Sequence, residues 1–375
     1  MIVGVPKETT PGERRVALVP DLVTQLQKAQ LQVVVQNDAG AAAGYLDSIY
    51  SQKGARIEAD ALGSADAVLK VQPPSVEEIA RIKEGAALVG FLTPYSNSAA
   101  IKALARRKIT AFAMELMPRI TRAQPMDALS AMSTVAGYKA VLLAANRLPR
   151  FFPLLMTAAG TMTPARVFII GAGVAGLQGI GTAKRLGAVV EAYDTRPVVK
   201  EQVESLGAKF AEVSLETKDA QDKAGYAKGQ SEEFYKQQQQ LMFRYVTGAD
   251  VVVTTALVPG QRAPVLITEE MVKGMRPGSV IVDLAAEQGG NCALTEPDQE
   301  VVKHDVAIIA PVNLPSTMPY HASQMYARTV CNYVTHLVKS GAIQLDLNDE
   351  LTRGPLVTHQ GEIVHEVAKA TVARS

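Results

Sequence analysis

The run Arg166-Val-Phe-Ile-Ile-Gly171-Ala-Gly173-Val174-Ala175-Gly176 sets an apolar segment directly before the spacing G-x-G-x-x-G. Each glycine meets a steric demand. Gly171 permits a tight turn, Gly173 lets backbone approach a pyrophosphate, and Gly176 lets the following helix pack close to the strand. A helix opening here presents free N–H donors and its positive dipole end, which is what a phosphate requires. The next apolar run, Val189-Val-Glu-Ala-Tyr193, ends at Asp194, eighteen residues beyond Gly176. A carboxylate at that distance suits the hydroxyls of an adenosine ribose and repels a 2′-phosphate, so the pattern predicts a dinucleotide site selective for NAD(H). Arg196 is a counter-signal, because arginine accommodates a 2′-phosphate.

A second cluster of polar groups lies at Met117-Pro-Arg119-Ile-Thr-Arg122-Ala-Gln124-Pro-Met-Asp127-Ala-Leu-Ser130. Two readings stand side by side. Arg119 and Asp127 pair to fix a loop beside a ligand, or Asp127 caps a helix while the arginines line a wet loop.

The elements around these groups alternate. The first third reads as βα units, with strands at 2–5, 32–36, 67–71, 86–91 and 109–114 and a helix over 20–29. Apolar residues at three- and four-residue steps predict a long helix from Asp127 to Arg147, ended by Pro149 and Pro153. A second α/β series follows, with strands at 166–170, 189–193, 209–212, 250–254, 279–283 and 306–309, and helices over 174–186 and 198–206. The expected fold class is α/β, with two doubly wound Rossmann-like domains on parallel sheets. Residues 214–240 break the rhythm with a polar, glutamine-rich stretch, read as a lid, an added helix or disorder. An apolar helix over 325–338 is expected to return to the first domain.

Composition closes other routes. With 38 Lys+Arg against 37 Asp+Glu, no net field attracts nucleic acid or an anionic membrane. The two cysteines, Cys292 and Cys331, have no C-x-x-C spacing, and the five histidines have no metal-ligand spacing, so no metal is expected. No nucleophile elbow of the form G-x-S-x-G occurs. The apolar stretch 140–162 is interrupted by Asn146, Arg147, Pro149, Arg150 and Pro153, so the chain is expected not to cross a membrane.

Five stretches then become recognisable together: Val5-Pro-Lys-Glu8, Pro11-Gly-Glu-Arg-Arg-Val-Ala17, Met114-Glu-Leu-Met-Pro-Arg-Ile-Thr-Arg-Ala-Gln124, Gly171 to Gly176, and Val282-Asp-Leu-Ala-Ala-Glu-Gln-Gly-Gly-Asn-Cys292. Across the whole chain the sequence resembles the NAD(H)-binding component of proton-translocating nicotinamide nucleotide transhydrogenase, in its stand-alone soluble form. The resemblance implies that the chain binds NAD(H) in the cleft between its domains. Hydride then passes directly to NADP(H) held by a partner domain, in an enzyme of the Re/Si-specific class active only with its partners. Membrane-spanning proton-channel subunits would couple the step. The chain would be a homodimer held on the cytoplasmic side of the membrane through those partners.

Carried over by position, Arg119, Gln124 and Asp127 form the loop at the nicotinamide, with Ser130 and Tyr138 nearby. Gly171, Gly173, Val174, Ala175, Gly176, Asp194, Thr195, Arg196, Thr255, Ala256 and Leu257 hold the nucleotide. Tyr226 and Ala227 belong to a mobile lid over about 214–230. The domains implied are 1–127 plus 318–375, and 128–317.

Alanine dehydrogenase, a related family, is the competing reading, and a non-catalytic NAD(H) sensor is the third. In the resemblance to alanine dehydrogenase, the substrate lysine falls at Gln72 and the histidine at Thr93. Amino-acid oxidation needs groups that move protons at the reacting carbon, whereas hydride exchange between two nicotinamides does not. The two replacements therefore favour transhydrogenation.

Overall fold

Short runs of buried, mostly β-branched residues build two sheets, each inside its own unit of the chain. The structure is a computed structural model describing residues 1–212, 232–258 and 260–375. One unit comprises residues 1–132 and 315–375, the other 133–314. The lid residues Tyr226 and Ala227 lie outside the described residues.

In the second unit the strands are ordered Lys209–Phe210, Val189–Tyr193, Arg166–Ile170, Val251–Thr254, Val280–Asp283, Val306–Ile309 and Glu300–Lys303. All neighbours are parallel except the last pair. The three central strands are continuous apolar runs because both faces of a parallel sheet are covered. Strand alternation divides their side chains between two cores. Val167, Ile169, Val251, Val253, Val280 and Val282 pack with Val141, Ala144, Ile180 and Ala183. Phe168, Ile170, Val252, Ile281 and Ile308 pack with Met242, Val246 and Met271.

The first unit repeats the design. Its sheet is ordered Glu362–Ile363, Leu356–His359, Thr110–Ala113, Ala87–Gly90, Ala67–Leu69, Ile2–Val5, Gln32–Gln36 and Arg56–Glu58. The first two strands join antiparallel and the others run parallel. Setting aside the antiparallel additions, each sheet has the doubly wound order, with its first strand flanked by its second on one side and its fourth on the other. Both units are Rossmann-like.

Three helices differ from expectation. The one read over 325–338 begins six residues earlier, as Pro319–Leu337. Proline at the first helical position costs no hydrogen bond, and the exposed Tyr320 and His321 hide the apolar periodicity of that turn. Its buried Tyr326, Val330 and Tyr333 lie in the first unit, where Tyr326 packs on Phe91 and Tyr333 on Phe112. The polar stretch becomes the helix Glu232–Gly248 from residue 232 onward. Its glutamine run lies inside this helix, where glutamine is a good former, and the buried Gln238 amide donates to the Tyr193 hydroxyl at 2.9 Å. The Ala128–Arg147 helix is long and apolar enough to cross a membrane by length and composition. Here its Ala140, Val141 and Ala144 are fully buried in the second unit's core.

An unexpected hairpin joins Leu155–Thr157 to Gly160–Met162. Its strands have three residues each and turn at Gly160, with φ +120°, so little patterning betrays it.

Candidate functional site

In an open α/β sheet, ligands sit beyond the carboxyl ends of the strands where the strand order reverses. In the second unit that point lies between Arg166–Ile170 and Val251–Thr254. The loops leaving these strands carry Gly171–Gly176 and Thr255–Leu257.

The three glycines do different work. Gly171 has φ +93°, and a Cβ there would lie 2.5 Å from the Thr255 hydroxyl oxygen. A Cβ on Gly176 would come within 1.8 Å of the Gly171 carbonyl oxygen, so only glycine lets the helix approach the strand. Around Gly173 nothing lies within 4 Å of such a Cβ. Its backbone faces open space, which is the cradle a pyrophosphate needs. Gly173 is also the N-cap of the Val174–Arg185 helix and has no side chain to satisfy the first-turn N–H groups, which stay available to an anion. Val174 is exposed, and Ala175 is half-buried with its carbonyl against Gly137. These residues fit a dinucleotide.

Asp194 is buried at the end of its strand, with Thr195 half-buried beside it. Its Oδ2 accepts from the Ala172 N–H at 2.8 Å and its Oδ1 from the Arg196 N–H at 2.9 Å. The Arg196 guanidinium also closes on it, with 2.8 Å from Nε to Oδ1 and from Nη2 to Oδ2. The Thr255 hydroxyl donates to the Gly171 carbonyl at 3.0 Å, tying the two switch-point loops together. Ala256 is half-buried and Leu257 exposed.

The polar loop at 117–130 belongs to the first unit. Asp127 caps the following helix: Oδ1 accepts from the Ser130 N–H at 2.9 Å and Oδ2 from the Ser130 hydroxyl at 2.6 Å. The arginine that meets an aspartate is Arg122, 2.6 Å from Asp349, whose other oxygen lies 3.1 Å from His336 Nε2. The Asn332 amide donates to the Pro125 carbonyl at 2.9 Å. The loop is thus fastened at 122, 125 and 127, while Arg119 and Gln124 are exposed. Tyr138, exposed on the same helix, falls in the second unit. Asp349, Asn332 and His336 escaped the sequence reading because more than two hundred residues separate them from the loop they hold.

The first unit's own switch point, between Ile2–Val5 and Ala67–Leu69, contains a buried charge cluster. The Arg15 guanidinium grips Glu13, with 2.8 Å from Nε to Oε1 and 2.6 Å from Nη2 to Oε2. The Gln72 amide donates to the same carboxylate at 2.8 Å. Burial pushes the Glu13 carboxyl up, but Arg15 and Gln72 outweigh it and bring it down to about 2. Lys70 lies 3.2 Å from Glu8 and 2.9 Å from Glu78. Burial raises the Glu8 carboxyl despite the lysine. In this cluster each cation is already paired with a carboxylate of the chain itself.

Comparison with known proteins agrees with this geometry. Residues 4–136 match the family described as "Alanine dehydrogenase/PNT, N-terminal domain", and residues 140–366 match its C-terminal domain. An NAD(P) transhydrogenase subunit alpha of Rhodospirillum rubrum is 50% identical, over 97% of this chain and 98% of that protein. Alanine dehydrogenase of Bacillus subtilis is 30% identical, over 98% of this chain and 93% of that one. Among solved structures, the transhydrogenase from Sinorhizobium meliloti superposes with a TM-score of 0.89 at 42% identity, covering 97% of this chain and 100% of that chain. Two Rossmann-like units, the glycine turn with its strand-end aspartate, and matches along nearly the whole length lead to one assignment: the chain belongs to the alanine dehydrogenase/PNT family.

Proposed function

We propose that this chain is the NAD(H)-binding subunit of a proton-translocating NAD(P) transhydrogenase of the Re/Si-specific class. The observation that carries the proposal is the full-length 50% identity to a transhydrogenase alpha subunit, against 30% to an alanine dehydrogenase. The charge cluster of the first unit supports it: Gln72 is bound to Glu13, and Glu13 neutralises Arg15. A substrate carboxylate would have to displace Glu13 from the buried arginine.

Bound NADH supplies a hydride, whose acceptor is NADP⁺ on a partner domain. The chain's own residues bind and orient. The backbone at Gly173 and the first turn from Val174 receive the pyrophosphate, and Asp194 accepts from the ribose. Thr195, Arg196, Thr255, Ala256 and Leu257 complete the walls, with Tyr226 and Ala227 closing over them. Asp127, Ser130 and Arg119 hold the loop on which Gln124 reaches outward, with Tyr138 nearby. No group on this chain is required to move a proton, because hydride exchange between nicotinamides transfers none at the reacting carbons.

Membrane-spanning partner subunits couple the exchange to proton translocation and hold this chain at the cytoplasmic side of the membrane. The chain acts as a homodimer. The hairpin at 155–162 supports this, because Leu154, Met156 and Met162 are exposed on a two-stranded sheet with open edges.

Mixing the purified chain with an NADP(H)-binding partner component should give NADH-dependent reduction of a bound NADP⁺ analogue. Tight NADH binding with no exchange in that mixture would instead favour a sensor.

A further inference from the structure

Three parallel strands, Arg166–Ile170, Val251–Thr254 and Val280–Asp283, send their loops to the same end of the sheet. The third loop contributes no residue to the nucleotide site proposed above, yet it is the most heavily bonded. Asp283 is fully buried and receives five donors. The Thr254 hydroxyl at 2.8 Å and the Ala285 N–H at 3.0 Å reach one oxygen. The N–H groups of Asn291 at 2.8 Å and Cys292 at 3.0 Å, with the Thr295 hydroxyl at 2.5 Å, reach the other. A buried carboxylate survives only when its acceptors are filled in this way, and filling them fixes the fold of the loop.

That loop delivers one side chain, Asn291, fully buried. Its Nδ2 donates to the Ala256 carbonyl at 2.9 Å and the Pro264 carbonyl at 2.8 Å, and its Oδ1 accepts from the Ala256 N–H at 3.0 Å. One amide side chain therefore satisfies both backbone groups of Ala256, as a neighbouring strand would. The arrangement requires an amide. Aspartate would set a charged oxygen against two carbonyls, and a shorter side chain would leave buried backbone groups unpaired. On its other side the 255–257 loop is tied to Gly171 through Thr255.

We propose that Asn291, held in turn by Asp283, is a positioning residue for the nucleotide site: it fixes the Ala256 peptide and so sets the outer face of the 255–257 loop against the glycine turn. The proposal rests on the reading that NAD(H) binds at this switch point, and it adds a residue that touches no nucleotide.

Three measurements test it. In the empty wild-type chain the Ala256 amide should be protected from hydrogen exchange nearly as well as those of Val252 and Val253. Exchange at the rate of an open loop would overturn the proposal without any variant. Asn291→Ser should accelerate exchange at Ala256 while leaving Val252 and Val253 unchanged, and weaken NADH binding about tenfold by calorimetry. Asn291→Asp, of the same size, should weaken it likewise. Ile281→Val, a core change on the adjacent strand that touches neither loop, lowers the melting temperature and should leave NADH affinity within about twofold. A folded Asn291→Ser or Asn291→Asp protein with wild-type NADH affinity would overturn the positioning role. Failure of the wild-type chain itself to bind NADH would overturn the site assignment instead, so the two failures are distinguishable.

Discussion

Arg196 closes on Asp194 with a two-point grip, and the N–H groups of Ala172 and Arg196 take the remaining acceptor positions of that carboxylate. A carboxylate has about four such positions, so its capacity is spent within the chain. Ribose hydroxyls reach Asp194 by replacing the guanidinium, while the two backbone bonds stay. Asp194→Asn should weaken NADH binding by about 1.5–3 kcal/mol. Arg196→Leu removes the competitor and leaves the negative charge unneutralised, so NADH should tighten several-fold and the preference over NADPH should widen. Calorimetry showing NADPH bound by the wild-type chain as tightly as NADH would sink this account.

The chain should neither oxidise L-alanine nor reductively aminate pyruvate. Gln72 is committed to Glu13, and the Thr93 hydroxyl donates to the Leu92 carbonyl at 2.8 Å. Neither side chain carries a proton near neutral pH. Alanine-dependent NADH formation above a no-substrate blank, in protein free of contaminating dehydrogenase, would restore the competing activity.

Gln124 should matter for transfer and not for NADH affinity. Its loop is fastened through Arg122, Pro125 and Asp127, so shortening one exposed side chain leaves the anchors intact. Gln124→Asn should change NADH affinity of the isolated chain little. Stopped-flow transfer with the partner at saturating substrates should fall by about an order of magnitude or more. Weakened NADH binding with unimpaired transfer would reverse the assignment.

Glu115 gives a pH signature. Burial raises its carboxyl to about 7, and the N–H groups of Leu92 and Thr93, which bond only Oε1, do not offset it. Its Oε2 is buried without a hydrogen-bond partner. A raised carboxyl binds its proton more tightly in the folded chain than in the unfolded one. The resulting stabilisation is present in full below pH 4.5, the ordinary value, and is lost as pH rises through about 7. Glu115→Gln should therefore gain on the wild type by an increment that grows from pH 5 to pH 8 and reaches roughly 2–3 kcal/mol. Melting curves at four pH values would decide; an equal difference at pH 5 and pH 8 would exclude this titration.

The nucleotide crevice was legible because its information is local. Gly171 to Gly176 and Asp194 lie within one βαβ unit, and their spacing is dictated by a turn, a helix start and a strand length. The continuous apolar runs of buried parallel strands were legible for a similar reason. Partnerships across long separations were not. Nothing near Arg122 announces Asp349, and nothing near Ala256 announces Asn291, because only the closed sheet brings them together. Asp127 shows the intermediate case: its position before an apolar helix allows a cap as well as an ion pair, and the Ser130 contacts realise the cap.

The first unit is discontinuous, and this bears on the order in which the molecule can be made. The Pro319–Leu337 helix and the strands at 356–359 and 362–363 come from the last residues translated, yet they supply one covering face and one edge of a sheet begun at Ile2. The second unit is a single uninterrupted stretch, 133–314, and has all its strands before they emerge. Domains fold as units during synthesis, so the nucleotide-binding unit is complete while the N-terminal unit still waits with an open edge. Through that interval the amino-terminal strands are the vulnerable part of the nascent chain, and a ribosome stalled before Pro319 would release a finished nucleotide binder beside an unfinished companion.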